Sequence, residues 1–436
     1  MDGSRRVDAD DRPRLALAAA AALLLLTCSD APSDETDADT GEVSLYGVCP
    51  DSQALLSHLP IELAQIDLII PMGSTTGGGS HTLPTNHIYV NAPFHREDTL
   101  VVPDILDVPV VAPADVTVTA IRGSIRTAYN SNHEPVGEYE DFTVYLQVCD
   151  DVRIYFHHLN TISEPLREAA GDLLAGEGYC RPASDFSPVE CTAYIDVPVA
   201  AGASLGTAWR PGTQALDWGL VDARVMQPFA NLYRYAFTPS DQEGAPPEEL
   251  QERTYVHKPS VQCPLDYLAD PALQQAAKDL LAGYENYAPS TFDPPCGAVN
   301  FDLPGTARGA WFGDGGFYDT ALALVNHHVD PTIPIFSPGA ELADVPEDNY
   351  TFEIRDDGFV NRRFEDVRDD AGTHCWEGLL RFHEPPSTLA HGGRILLRVD
   401  TDVDGPAMTF EYQPDVDLCG DPATWVFSPA AFTLRR

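Results

Sequence analysis

Two runs of alternating residues set the first limit on the fold. Phe142, Val144, Leu146 and Val148 alternate with polar neighbours, and Val152, Ile154, Phe156 and His158 do the same. Side chains two apart share one face of an extended strand, so each run offers a single apolar face. Cys149-Asp150-Asp151 between them leaves room only for a tight turn, which predicts a β-hairpin. By the same alternation His157 and His158 are expected on opposite faces, so that at most one of them serves a given site. Val116 to Ile121 adds an apolar, β-branched strand. The whole stretch from Glu42 to about Ser240 reads as short strands separated by turns, and strands return after Phe301 at Tyr350 to Ile354, Arg394 to Val399 and Met408 to Tyr412. The expected fold class is therefore mainly β.

Helical spacing is confined to two places. Leu166, Ala170, Leu173 and Leu174 predict a helical insertion over Ser163 to Gly176, followed by a Pro- and Ser-rich segment between Cys180 and Cys191. Asp270 is a good N-cap with Pro271 at the first helical position, and the pattern predicts a helix running to Gly283. The Pro- and Glu-rich stretch 241–260 marks a boundary. The resulting division is a β domain at 44–240 with an insertion at about 160–195, a linker and helix at 241–300, and a second, mostly β domain at 301–436.

The N-terminus reads as an export signal over residues 1–27. Four arginines precede an apolar run from Leu15 to Thr27, too short to span a bilayer. Leu25-Leu26-Thr27-Cys28 resembles a bacterial lipobox with threonine in place of the usual small residue, which implies a lipid anchor on Cys28 in the cell envelope; ordinary secretion with cleavage nearby is the alternative. Residues 28–43 are then an acidic tether. Eight further cysteines, at 49, 149, 180, 191, 263, 296, 375 and 419, read as disulfides in an exported chain. Sequence proximity favours Cys180–Cys191, Cys263–Cys296 and Cys375–Cys419, leaving Cys49–Cys149. With 26 basic against 67 acidic residues the formal charge is −41, and the only lysines are Lys258 and Lys278. Such a surface repels phosphate backbones, which argues against nucleic acid as a partner.

The order of motifs resembles the lysostaphin- or LytM-type zinc endopeptidases, which cut peptidoglycan cross-bridges and fold as an antiparallel β-sandwich. His87-Ile-Tyr-Val-Asn91 stands where the family has HxxxD. Val110-Val111-Ala112-Pro113-Ala114-Asp115-Val116-Thr117-Val118 matches its APADG.V strand apart from Val116, where glycine is usual, Phe156-His157-His158-Leu159 its Y.HL, and Val199 to Gly206 its V..G..IG. The likeness covers residues about 70–225. It implies that His87 is a zinc ligand and His158 the proton-handling histidine. Asn91 takes the place of the ligand Asp, Asp217 that of the ligand His in HxH, and Ala215 that of its first His. A neutral amide is a poor zinc ligand, and a missing histidine removes a stabiliser of the oxyanion. His87 and Asp217 can still hold zinc with His81 or His158 as a third donor. Two functions follow: an envelope protein with an altered site that binds a cell-wall peptide, a glycan or a protein partner, or a metallohydrolase with a variant His/Asp site. An inert surface lipoprotein is a third.

The remaining motifs carry less. Gly77-Gly78-Gly79 lacks a following helix and a lysine, and reads as a flexible loop. His327-His328 reads as surface. Asp400-Thr401-Asp402-Val403-Asp404-Gly405 lacks the closing glutamate of a Ca²⁺ loop and reads as an acidic turn. Gly202-Ala203-Ser204-Leu205-Gly206 has the letters of a Gly-x-Ser-x-Gly elbow, but no helical pattern follows it, so a serine nucleophile has no support.

Overall fold

The computed structural model describes residues 46–91, 108–129, 134–182, 188–209, 215–241, 244–283, 288–314, 320–342, 345–369, 371–382, 390–402 and 405–436. The export signal, Cys28 and the tether lie outside the described residues. The fold is mainly β and antiparallel throughout its named ladders.

The first sheet has eleven strands. They are β1 (Leu68–Ile70), β2 (Ile88–Asn91), β3 (Val108–Val111), β4 (Val116–Tyr129), β5 (Pro135–Cys149), β6 (Val152–Ile162), β7 (Tyr179–Arg181), β8 (Glu190–Val199), β9 (Ser204–Ala208), β10 (Ala215–Asp222) and β11 (Val261–Gln262). Their order is β1-β2-β10-β6-β5-β4-β8-β7, with β11 on β10. Because β9 pairs with both β3 and β6, the sheet curls back on itself. The expected hairpin is β5–β6; Val144, Leu146, Ile154 and Phe156 are all core, and Tyr145 and Tyr155 on the opposite face are buried as well.

The helical insertion is present as α1 (Glu164–Ala170), which buries Leu166 and Ala170. The segment after it does not leave the sheet. Cys180 sits directly opposite Cys191, β7 pairs with β8, and β8 pairs with β4, so the disulfide-bearing hairpin extends the sheet edge. The second predicted helix ends earlier than its pattern. After α2 (Glu248–Gln251), α3 (Pro271–Lys278) starts on the Asp270 cap, whose carboxylate accepts from Ala272 N–H, but stops at Lys278. Leu280 and Ala282 instead exchange backbone hydrogen bonds with Ile69 of β1. A pairing partner outside the segment overrode the helical period.

The second sheet has nine strands: β12 (Gly309–Phe312), β13 (Ala321–Asn326), β14 (Pro334–Pro338), β15 (Tyr350–Thr351), β16 (His374–Trp376), β17 (Leu380–Arg381), β18 (Arg394–Asp402), β19 (Gly405–Gln413) and β20 (Phe432–Arg435). Of the acidic tract, Asp400, Thr401, Asp402 and Gly405 lie in the β18–β19 ladder, and Val403 and Asp404 lie outside the described residues. Strand β13 is buried on both faces. Ala321, Ala323 and Val325 join the large core that also holds Ile69, Val118 and Trp218, whereas Leu322 and Leu324 join a second core around Trp311, Phe336 and Trp376. Residues Ser44–Arg436 form one compact unit.

Four disulfides are present, Cys49–Cys149, Cys180–Cys191, Cys263–Cys296 and Cys375–Cys419. They place the chain in a non-reducing, extracytoplasmic setting. Among the described residues no helix is long and apolar enough to cross a membrane.

Two sequence expectations are corrected here. His327 and His328 are not at the surface: they are 5% and 3% exposed, their rings tilted against each other with centroids 4.4 Å apart, and Phe382 packs against His327. The glycine run is docked, not open. Gly77 N–H donates to Asn349 Oδ1 and Gly78 N–H to the Pro338 carbonyl, and a Cβ on Gly77 would stand 2.1 Å from the Asp348 carbonyl oxygen. Only glycine allows that approach.

Candidate functional site

The site is built on the middle of the first sheet, where β2, β10 and β6 lie side by side. Register places Tyr89, Asp217 and His157 directly across from one another, so their side chains share a face. His87 precedes β2 by one residue on the same face. The sequence expectation that His157 and His158 point apart is overturned by a bulge. On β5 the ladder runs from Phe142 to Val144, one residue between; on β6 the matching positions are Leu159 and Phe156, with both histidines between. His158 absorbs the extra residue with φ of 70°. A left-handed non-glycine backbone is strained, and such strain collects at functional positions. Its result here is that both rings reach one carboxylate.

Asp217 is the centre. Its Oδ2 lies 3.4 Å from His87 Nε2, 3.5 Å from His158 Nε2 and 3.8 Å from His157 Nδ1. Its Oδ1 is buried and accepts no hydrogen bond, and His87 Nε2 and His157 Nε2 are likewise buried without a hydrogen-bond partner. Burial pushes the Asp217 carboxyl up to about 6 and holds His87 and His157 well below the ordinary imidazole range. His158 is gripped from its other side: Nδ1 stands 3.3 Å from Asp141, which also pairs with the Arg126 guanidinium. His158 therefore bridges two carboxylates from different strands.

Packing fixes the loop that delivers His87. The Tyr155 ring lies over Gly219, where a Cβ would come within 2.0 Å of it, and the Tyr155 hydroxyl donates to the Asn86 carbonyl at 2.9 Å. His87 Nδ1 faces Asn86 Oδ1 at 3.1 Å. The Asp217-Trp218-Gly219 triplet thus has one residue for the site, one for the core and one whose missing side chain seats Tyr155.

The cluster lines a cavity of about 800 Å³, together with His81, Lys258, Arg126 and Arg234. His81 packs edge-on against His87, with centroids 5.7 Å apart, and burial lowers it to about 4. Asn91 is buried but turned onto its own strand, its Nδ2 donating to the Tyr89 carbonyl, and it faces Ala215 across the β2–β10 ladder. The structure thus gathers His87, His158 and Asp217 of the expected set, adds His157 and Asp141, and leaves His81 and Asn91 off the Asp217 oxygen. Tyr89 meets His87 edge-to-face, with centroids 4.8 Å apart, and also lines a second cavity of about 370 Å³ with His327, His328 and Asp348.

The donor types suit zinc: imidazole nitrogens and one carboxylate. Tetrahedral bonds of about 2.0–2.1 Å put neighbouring donors about 3.3 Å apart. The three nitrogen–Oδ2 separations exceed that by tenths of an ångström, and among the described residues no group of three or more such side chains is already closed around a metal position. The chemistry of the set fits; its spacing is loose.

Compared with protein-family models, with curated proteins and with solved structures, the chain matches none of them.

Proposed function

We propose that this chain is an exported, lipid-anchored envelope protein. In this reading its first sheet resembles the lysostaphin/LytM endopeptidases and carries a variant metal centre for hydrolysis of a cell-wall peptide. The observation that carries the reading is the convergence of three imidazoles from two separate segments on one buried carboxylate oxygen. His87, His157 and Asp217 would hold zinc, which when bound supplies a Lewis acid and lowers the pKa of water. His158, held by Asp141, is placed to take and return the proton, since Asp141 fixes the orientation of the ring. The Tyr155 hydroxyl keeps the His87 loop seated. His157 takes the part that sequence alone gave to His81 or His158.

Elemental analysis of purified protein is the test. One zinc per chain, lost in His87→Ala, His157→Ala and Asp217→Asn and kept in His81→Ala, is expected. Absence of zinc after reconstitution would sink the hydrolase reading.

A second reading, a binding module for cell-wall peptide or glycan, is favoured by the Asn91–Ala215 pair. These two face each other where the resembling family keeps a ligand and an oxyanion stabiliser. Retention of the metal-free protein on isolated peptidoglycan, with no turnover, would support it over hydrolysis.

A further inference from the structure

Lys258 is one of two lysines in a chain of net charge −41, and the fold removes it from water: it is 8% exposed, in the same cavity as the histidine–Asp217 cluster. Its position is structurally fixed. It opens a short 3₁₀ turn, Lys258–Ser260, that runs straight into β11, and β11 pairs with β10, the strand that carries Asp217. A buried ammonium without a counter-ion is unfavourable, and the usual remedy is a carboxylate. Here none supplies it. Among the described residues Lys258 makes no ion pair. Asp302, the one acid whose field reaches it, already spends its oxygens on the backbone N–H groups of Ala310 and Ala230. The other cations of the cavity are engaged, Arg126 by Asp141 and Glu190, Arg234 over the Phe312 ring at 5.2 Å.

We infer that Lys258 is a specificity residue that receives the free carboxylate of a short peptide whose remainder lies against the histidine–Asp217 cluster. A single ammonium suits a monoanion; phosphate sites gather several cations or a bidentate guanidinium. The acidic exterior repels anions, so an anion that settles in this cavity must be held locally. Burial lowers the Lys258 ammonium to about 7, and an arriving carboxylate would restore its charge. The inference rests on the proposed hydrolytic site for the reaction it serves, though not for the binding event.

Having only two lysines makes the test direct. Protein labelled with ¹³C at lysine Cε should give two lysine signals, assigned with Lys258→Met. Lys278, ion-paired with Asp266 at 2.5 Å, serves as the internal control. The probes are N-acetyl-alanyl-alanine, its C-terminal amide, and inorganic phosphate. The acid should move the Lys258 signal saturably and bind about tenfold or more tighter than the amide, with Lys278 still. By calorimetry that preference should vanish in Lys258→Met and return in Lys258→Arg. Equal effects of acid and amide, no movement with either, or tighter binding of phosphate would overturn the inference. Zinc content measured on the same samples separates the two ideas. Acid preference without zinc keeps the lysine site and sinks the metal centre; zinc without preference does the reverse.

Discussion

Asp217 shows how much one residue can set in opposition. Its folded pKa, raised by burial to about 6, lies above the unfolded value of 3.8, so the metal-free protein is favoured when Asp217 is protonated. That contribution is fully present below pH 3.8 and is lost as pH rises through 6, a penalty of about 3 kcal/mol at neutral pH. Asp217→Asn should therefore stabilise metal-free protein at pH 7.5 while removing zinc binding. Urea denaturation at pH 4 and pH 7.5 checks this, and a gain no larger at the higher pH counts against it. His374 has the opposite sign. It is 2% exposed, neither ring nitrogen has a hydrogen-bond partner, and burial lowers it to about 4. A depressed imidazole contributes stability that is present above pH 6.5 and falls away towards pH 4. His374→Phe, packed between Phe359 and Trp376, should raise the denaturation midpoint at pH 5 more than at pH 8.

Strands were the legible elements, because alternation in β5 and β6 is a property of one strand read alone, although the fold buries Tyr145, Gln147 and Tyr155 on the second face as well. The bulge at His157–His158 was hidden for the same reason. Alternation describes one strand, whereas a bulge is a mismatch between two, and only the β5–β6 ladder, which steps from Phe142–Leu159 to Val144–Phe156, reveals it. The role of His157, and with it Asp141 seventeen residues before His158, could not be found by motif order alone. Lys258 comes from the expected linker and was likewise outside any motif. The end of α3 was misjudged because Leu280 and Leu281 fit a helix but were taken by β1. Two element-scale substitutions follow. Gly219→Val pushes a side chain into the Tyr155 ring and should cost about 1–3 kcal/mol with loss of zinc affinity, read by thermal melting and metal titration. Tyr155→Phe keeps the packing and removes the bond to Asn86. It should cost about 1 kcal/mol and weaken zinc binding without abolishing it.

At the scale of the molecule, the disulfide pairing was recoverable from spacing because three of the four bridges join cysteines near in sequence. The Cys49–Cys149 bridge closes 100 residues and Cys180–Cys191 only 11. Chain entropy gives about 4.7 kcal/mol for the first and about 3 kcal/mol for the second. Paired Cys→Ala replacement followed by denaturant titration should preserve that ranking. The burial of His327 and His328 was not legible, since it depends on the two sheets sharing a core through β13. For the same reason Leu324→Ala, costing about 2–5 kcal/mol, should shift one common unfolding transition detected in both sheets. Separate transitions would show that the shared core does not couple them.

One aromatic ring connects His87 to the second cavity. Tyr89 touches His87 on one side and helps to line the chamber of His327, His328 and Asp348 on the other. A small molecule lodged there would press, through Tyr89, on the back of the proposed zinc ligand without competing for the front entrance, so the rear chamber is the place to seek non-competitive inhibitors of the proposed hydrolase.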